Sequence, residues 1–156
     1  MRLKSMACVL SFCAALCWNA MPAAAQGDPI AIGVVLPLTG DAAHWGIPPR
    51  HGAEMAAQEI NQEINDAGGI GGRKLALTVE DDRCSPGDGI AAFEKIMATA
   101  KPPAILGAVC SSVTLAIAPH ADTRNVVLIS PASTSPKLTG AGDFIFRDRQ
   151  QACVRL

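Results

Sequence analysis

Two stretches of sequence, KLALTVEDDRCSPGD (residues 74–88) and AILGAVCSS (residues 104–112), decide the fold. In each, an apolar run typical of a buried strand leads to a cysteine, Cys84 or Cys110, and then to a serine that can cap a helix. Neighbouring strand ends in one sheet would bring the two thiols together. We therefore expect a sheet whose strand ends carry a Cys84–Cys110 disulfide.

The alternation of strand and helix continues on both sides of these stretches. The predicted strands cover residues 30–36, 74–80, 104–109, 126–129 and 143–147, and the predicted helices cover residues 48–67, a segment after Ser85, and residues 111–122. Pro48 and Pro49 are expected to start the first helix, and the SPGD sequence at residues 85–88 predicts a capping box for the second. This alternation predicts an α/β fold, a doubly wound parallel sheet with right-handed crossovers.

Ligands of such sheets bind in the loops at the carboxyl ends of the strands. These loops are residues 37–46, 81–85, 110–112 and 130–135. Ser111 opens a helix directly after a strand, where free amides and a partial positive charge suit a carboxylate; an ordinary N-cap is the alternative. The Ser130–Ser135 stretch repeats this arrangement, with a polar turn as the alternative. Trp45 lies on the first loop. Its side chain is expected either to form one wall of an apolar pocket or to pack against neighbouring residues.

The N-terminus has the features of a secretory signal peptide. A basic start at Arg2 and Lys4 precedes an apolar run over residues 5–20 and the small residues of Ala23–Ala25. Residues 1–25 are therefore predicted to be a signal peptide, cleaved before Gln26, and the chain is predicted to be periplasmic. The apolar run is short for a membrane anchor.

Removal of that segment leaves three cysteines, of which Cys84 and Cys110 are expected to pair and Cys153 to remain without a partner. No Cys-x-x-Cys motif is present, and the histidines lack ligand-like spacing to the cysteines, so neither a metal nor another cofactor is expected. All 14 acidic residues stay, while two of the 13 lysines and arginines leave. A mildly acidic chain without tyrosine or a basic stripe disfavours nucleic-acid binding.

Catalysis is also disfavoured. Ser111, His120 and Asp122 are the residue types of a hydrolase triad, but they fall along one predicted helix, with Ser111 and His120 about 13 Å apart at 1.5 Å per residue. The nucleophile-elbow motif Gly-x-Ser-x-Gly is absent. The glycines of residues 68–72 follow a helix and lack dinucleotide spacing, so they are interpreted as a helix-terminating turn. We expect no enzyme activity.

Several blocks of sequence follow one another in a specific order between residues 30 and 147. They are IGVVLPLTG (32–40), WG (45–46), NDAGGIGG (65–72), EDD (80–82), Cys84, Gly107, CSS (110–112) and ISPAST (129–134). In this order they resemble the first lobe of the periplasmic branched-chain amino acid binding proteins, the leucine/isoleucine/valine-binding family of type I solute-binding proteins. The resemblance also implies the Cys84–Cys110 disulfide.

The resemblance implies a ligand site. Ser111 matches the serine that binds the ligand α-carboxylate. Thr134 matches a threonine whose amide meets that carboxylate and whose hydroxyl meets the α-ammonium, and Ala132 matches a position that offers its carbonyl to the ammonium. Trp45 matches an aromatic residue of the side-chain pocket, and Ser133 lies in the same predicted set of ligand-binding residues.

The resemblance further implies an amino acid receptor that delivers its ligand to the membrane permease of an ABC importer. The alternative is a sensory or regulatory domain of the same fold that recognises amides or other small solutes. Residues 26–147 are expected to form the first lobe, and residues 148–156 a divergent tail. The second lobe is absent from this sequence, so a truncated copy with at best millimolar affinity is expected.

Overall fold

The structure, a computed structural model, describes residues 27–67 and 70–149. Strands and helices alternate along the chain: β1 (Ile30–Leu36), α1 (Ala43–Ala67), β2 (Leu75–Asp81), α2 (Pro86–Thr99), β3 (Ala104–Gly107), α3 (Ser111–Thr123), β4 (Val127–Ser130), a short 3₁₀ helix (Pro136–Leu138) and β5 (Ile145–Arg147). The predicted signal peptide, Cys153 and most of the predicted tail lie outside the described residues. None of the described helices is long and apolar enough to span a bilayer.

The five strands form one parallel sheet in the order β2-β1-β3-β4-β5. This confirms the predicted α/β doubly wound fold. The chain moves from β1 to one neighbour, β2, and then returns past β1 to β3, so the winding reverses between β1 and β3. The loops that follow these two strands diverge at that point, and a crevice at such a reversal is the usual ligand position in open parallel sheets.

The main core lies between one face of the sheet and the helices α2 and α3. Val35 and Leu128 of the sheet pack with Phe93, Ile96 and Ile117 of the helices, and all five side chains are fully buried. The two helices approach closely because α2 carries Gly89 at their contact. A methyl group at this position would lie 2.3 Å from Cγ1 of Val113 on α3.

On the other face of the sheet, α1 packs against β1 and β2. Val34 and Leu36 alternate with the core-facing residues of β1 and are fully buried on this side. Further along the same face, Ile129 of β4 pairs in register with Phe146 of β5. Their side chains are exposed, so part of this face stays uncovered in the described lobe.

The first helix departs from the sequence-based prediction. It begins at Ala43, five residues before the predicted start, so Pro48 and Pro49 lie inside it. The prediction was wrong because prolines usually mark a helix start, whereas here the first turn is fixed by a contact with the end of β1. Gly46 packs on the carbonyl of Pro37, and a Cβ at Gly46 would lie 2.0 Å from that oxygen. The predicted loop of residues 37–46 therefore ends at Ala42.

The remaining elements match their predicted positions within two residues. Ser85 caps α2 as predicted, with its Oγ accepting from the amide of Asp88 at 3.5 Å and Pro86 at the first helical position. The third strand ends at Gly107, two residues before the prediction. The carbonyl of Ala108 leaves the ladder because it accepts hydrogen bonds from the side chains of Thr114, Ser130 and Ser133.

Candidate functional site

Ser111 and the loop after β4 meet at the carboxyl edge of the sheet. Ser111 Oγ accepts hydrogen bonds from the amides of Thr134, at 3.2 Å, and Ser135, at 3.3 Å. A hydroxyl has two acceptor positions and one donor. With both acceptor positions occupied, the Ser111 hydroxyl can only donate to a further group. The arrangement therefore suits a ligand acceptor such as a carboxylate oxygen.

The N-terminus of α3 adds further donors beside Ser111. Cys110 is the N-cap, and its carbonyl accepts from the amides of Val113 and Thr114 at 3.0 Å each. The amides of Ser111 and Ser112 precede these first helical hydrogen bonds and lie at the positive end of a 13-residue helix. The hydroxyl, the free amides and the positive end of the helix dipole thus all favour a negatively charged ligand group at this site.

A buried network of hydroxyl groups holds the loop after β4 against β3 and α3. Ser130 Oγ donates to the Ala108 carbonyl at 2.6 Å and accepts from the amide of Ser133 at 2.9 Å. Ser133 Oγ lies 2.8 Å from Thr114 Oγ1, and both hydroxyls contact the same Ala108 carbonyl. The network fixes the backbone that carries Ala132 and Thr134.

This network places the predicted site residue Ser133 beneath the loop, where only 1% of the residue is exposed. Its hydroxyl also lies 3.3 Å from the Val109 carbonyl. Sequence reasoning missed Thr114, which completes the network. The available clue was a polar residue three positions after Ser111, between the apolar residues Val113 and Leu115.

The predicted ammonium-binding groups lie on the same loop. Ala132 donates its amide to Ser130 Oγ at 3.4 Å. Neither the Ala132 carbonyl nor the Thr134 hydroxyl has a hydrogen-bond partner within residues 27–67 and 70–149. Two acceptor oxygens are thus available next to the donors around Ser111, which is the pairing that a zwitterion requires.

An open cavity of about 360 Å³ adjoins this loop. Its walls are mostly apolar and come from the first turns of α1 and from residues that follow β3, β4 and β5. They are formed by His44, Trp45, Pro48, Pro49, Val109, Pro131, Ala132 and Arg149. The structure therefore brings Trp45 and Ala132, two of the predicted site residues, to one pocket.

Trp45 lies on the first turn of α1, not on a loop, and is 63% exposed. Its ring lies 5.0 Å from that of His44, measured between centroids. Sequence reasoning missed His44, and it interpreted Pro48 and Pro49 only as a helix start. Because one helical turn brings residues 45, 48 and 49 to neighbouring positions, the correct helix boundary would have placed the prolines beside Trp45.

The predicted disulfide between Cys84 and Cys110 is present, with the two Cα atoms 5.6 Å apart. Cys84 follows β2, and Cys110 directly precedes Ser111. Arg83 and Cys84 both adopt left-handed backbone conformations, with φ of 48° and 59°. Their amides donate to carboxylates two residues back, Asp81 Oδ1 at 2.9 Å and Asp82 Oδ1 at 2.7 Å. The turn delivers Cys84 to the N-terminus of α3.

The two aspartates of this turn occupy different environments, as expected for adjacent residues at a strand end. Desolvation works against ionisation of Asp81, but hydrogen bonds from the Thr39 hydroxyl and the amides of Leu38 and Arg83 hold its pKa below the usual value. Asp82 is fully buried, and its Oδ2 has no hydrogen-bond partner among the described residues. Desolvation raises the pKa of Asp82 to about 6.

His120 and Asp122, two of the three residue types of a hydrolase triad, make contacts with other residues. His120 Nδ1 lies 3.2 Å from Glu94, which also pairs with Arg124 at 2.9 Å. Asp122 Oδ1 accepts from the amide of Phe144 at 3.2 Å. Within the part of the chain that the structure describes, no group of three histidine, cysteine or acidic side chains is placed to hold a metal ion.

Comparison with known sequences places this chain among binding proteins. A family model described as periplasmic binding protein matches residues 29–153. An amino acid binding protein of Pseudomonas aeruginosa is 36% identical over 130 residues, which cover 80% of this chain and 34% of that protein. The Leu/Ile/Val-binding protein of Escherichia coli is 32% identical over 134 residues, covering 86% of this chain and 34% of that protein.

Solved structures agree with the sequence comparison. The leucine binding protein LivK from Thermotoga maritima superimposes with a TM-score of 0.69 at 30% identity, covering 78% of this chain and 33% of that one. The substrate binding protein LivJ from Streptococcus pneumoniae, in complex with isoleucine, gives 0.68 at 29% identity, with 79% and 34% covered. The chain thus spans about a third of the length of the relatives it matches.

Proposed function

This chain belongs to the periplasmic binding protein family, and we propose that its residues 26–147 are the first lobe of a receptor for α-amino acids. The observation that carries the proposal is the pair of amide hydrogen bonds to Ser111 Oγ, which leaves that hydroxyl as a donor beside further amides. The names of the relatives, an amino acid binding protein and a Leu/Ile/Val-binding protein, support the ligand class.

In this proposal the ligand is held by its two charged groups. Its α-carboxylate accepts from the Ser111 hydroxyl and from the Thr134 amide, and its α-ammonium donates to the Ala132 carbonyl and the Thr134 hydroxyl. Its side chain enters the cavity beside Trp45, whose apolar walls suit a branched aliphatic group. Ser133 contributes through its buried hydroxyl, which fixes the loop, and not through direct contact.

The same proposal covers the cellular role. We infer that the protein is exported through the signal peptide of residues 1–25 and acts in the periplasm. We infer that it binds its ligand without catalysing a reaction, in keeping with the binding-protein family to which it belongs. The site lies open on one lobe, so tight binding needs a second surface, and the closed form delivers the ligand to the permease of an ABC importer.

Replacing Ser111 with alanine tests the site. The variant loses the hydroxyl donor and leaves the amides of Thr134 and Ser135 without their acceptor. Leucine should bind roughly 10- to 100-fold more weakly, the range for a hydrogen bond to a charged group. The measurement is an NMR titration of the chain, because it detects millimolar dissociation constants.

Ser112 offers the matched control, since it is the next residue of the same helix and its side chain is exposed. The Ser112→Ala variant should bind leucine as the unmodified chain does. Equal affinity of Ser111→Ala and the unmodified chain would remove Ser111 from the site. A chain that shows no leucine-dependent shifts near Ser111 and Thr134 would contradict the proposed function.

A further inference from the structure

Arg147 connects the edge of the sheet to the loop that carries the proposed ligand groups. It is the last residue of β5 and pairs in register with Ser130 of β4. Its Nη1 donates to the Ser135 carbonyl at 2.6 Å, and its Nη2 donates to Thr139 Oγ1 at 2.8 Å. The guanidinium therefore contacts the residues on both sides of the 3₁₀ helix, Ser135 before it and Thr139 after it, with two separate hydrogen bonds.

Ser135 is held from two sides. Its amide donates to Ser111 Oγ at 3.3 Å, and its carbonyl accepts from Arg147. A chain of hydrogen bonds thus runs from β5 through Ser135 to the first residue of α3. The planar guanidinium presents donors in a fixed geometry, which a lysine cannot reproduce.

The charge of Arg147 has no acidic partner in the described parts of the chain. The ion pairs found there involve Arg50, Lys95, His120 and Arg124, and none includes Arg147. A full positive charge therefore lies one residue from Thr134, on the side of the molecule where the proposed site needs to attract a carboxylate.

We propose that Arg147 is a positioning residue for recognition of the ligand carboxylate. It fixes the Thr134–Ser135 backbone before the ligand arrives, and its unneutralised charge favours an anion at that backbone. Because the loop is ordered in advance, less conformational entropy is lost on binding. The inference rests on the proposed function, since it assigns the carboxylate to the Ser111–Thr134 pair.

The test compares leucine with leucinamide, which keeps the ammonium and side chain but lacks the carboxylate. In NMR titrations of the chain, leucine should bind more tightly than leucinamide. The Arg147→Met variant should lose roughly 10-fold in affinity for leucine, about one charge-assisted hydrogen bond. Its loss for leucinamide should be clearly smaller, because leucinamide has no anionic group for the positive charge to favour. Lys137→Met is the matched control, because it removes one positive charge from the 3₁₀ helix that Arg147 flanks, and it should leave both affinities unchanged.

Two further measurements test the role of Arg147. In Arg147→Met the Thr134 and Ser135 amides should exchange with solvent faster than in the unmodified chain, without any ligand present. Arg147→Lys keeps the positive charge but loses the fixed pair of guanidinium donors, so it should bind leucine more weakly than the unmodified chain does. If the Arg147→Met variant does not fold, the ligand titrations and the amide exchange are both measured on Arg147→Lys.

The possible results distinguish a failure of the role assigned to Arg147 from a failure of the proposed amino acid site. Equal losses for leucine and leucinamide in Arg147→Met would indicate a general structural role and overturn the inference. Unchanged leucine affinity in Arg147→Met, or full affinity in Arg147→Lys, would overturn it while leaving the amino acid site in place. An unmodified chain that binds leucine no better than leucinamide would contradict the proposed carboxylate site itself.

Discussion

Replacing Cys84 and Cys110 together with alanine should lower the free energy of unfolding by about 3 kcal/mol. The disulfide closes a loop across 26 positions and so restricts the unfolded chain. In the folded state it also holds Arg83 and Cys84 in left-handed conformations, which cost free energy for residues other than glycine. Urea unfolding of the unmodified and doubly substituted chains measures the difference.

The control for this prediction is Cys153→Ala, because the sequence-based expectation is that Cys153 has no partner. That variant should unfold at the same urea concentration as the unmodified chain. Peptide mapping without reductant should recover the Cys84–Cys110 link from periplasmic material. A Cys84–Cys153 link, or a double variant as stable as the unmodified chain, would contradict the stabilising role assigned to this disulfide.

The strand-helix alternation was predictable because it depends on local patterns. The β-branched run of β1 and the Ser85-Pro86 start of α2 each specify their element within a few residues. Parallel order then follows from the connections. The expectation that the two cysteine-bearing strands are neighbours was wrong, because β1 lies between β2 and β3, and the left-handed turn at Arg83 and Cys84 brings Cys84 to Cys110. The disulfide itself is present as predicted, since each cysteine lies just beyond the end of a predictable strand at the same edge of the sheet.

The element boundaries that were wrong depend on contacts between distant segments. The start of α1 is fixed by Gly46 against Pro37, and no local rule contains that contact. The early end of β3 follows from three hydroxyl groups on other elements that bind the Ala108 carbonyl. In both cases a tertiary interaction overrides the local preference of the sequence.

The positions of the candidate site residues were predictable in outline, whereas the contacts that hold them in place were not. The position of Ser111 at a strand-to-helix junction could be identified from the local pattern, but that pattern left an ordinary N-cap open, and the family resemblance implied the carboxylate role. The burial of the Ser133 hydroxyl and the contact of Arg147 with Ser135 could not be predicted from the sequence. A hydroxyl or a guanidinium can bind many partners, and the partner is decided only by the folded loop. The residues proposed to contact the ligand follow from motifs, whereas those that position them become visible only in the folded structure.

The stability of the lobe should fall as pH rises from about 4 to about 6, and Asp82 is the cause. Desolvation is the main reason why its pKa is raised, and the charges of Asp81 and Asp88 add to it, while the hydrogen bond from the Cys84 amide opposes it. The folded pKa of about 6 exceeds the usual 3.8, so the folded state binds the proton more tightly than the unfolded chain. Stability is therefore greatest below the unfolded pKa and is lost as pH rises through the folded pKa.

The size of this loss is about 3 kcal/mol, from about two pKa units at 1.36 kcal/mol each. Urea unfolding at pH 4, 5, 6 and 7 should show the decline, with a plateau above the folded pKa. Asp81 titrates with the opposite sign, since its pKa is lowered, and it contributes stability that is lost only as pH falls towards and below its ordinary value.

Asp82→Asn isolates the effect, because the amide keeps an oxygen that can accept from the Cys84 amide and does not ionise. This variant should show no decline between pH 4 and pH 6, even if the buried amide makes it less stable at every pH. Asp143→Asn, a substitution at an exposed position, should keep the full decline. If the Asp82→Asn and unmodified chains had parallel pH profiles, the buried carboxyl at the end of β2 would not be the titrating group. The turn that holds Cys84 would then be independent of pH.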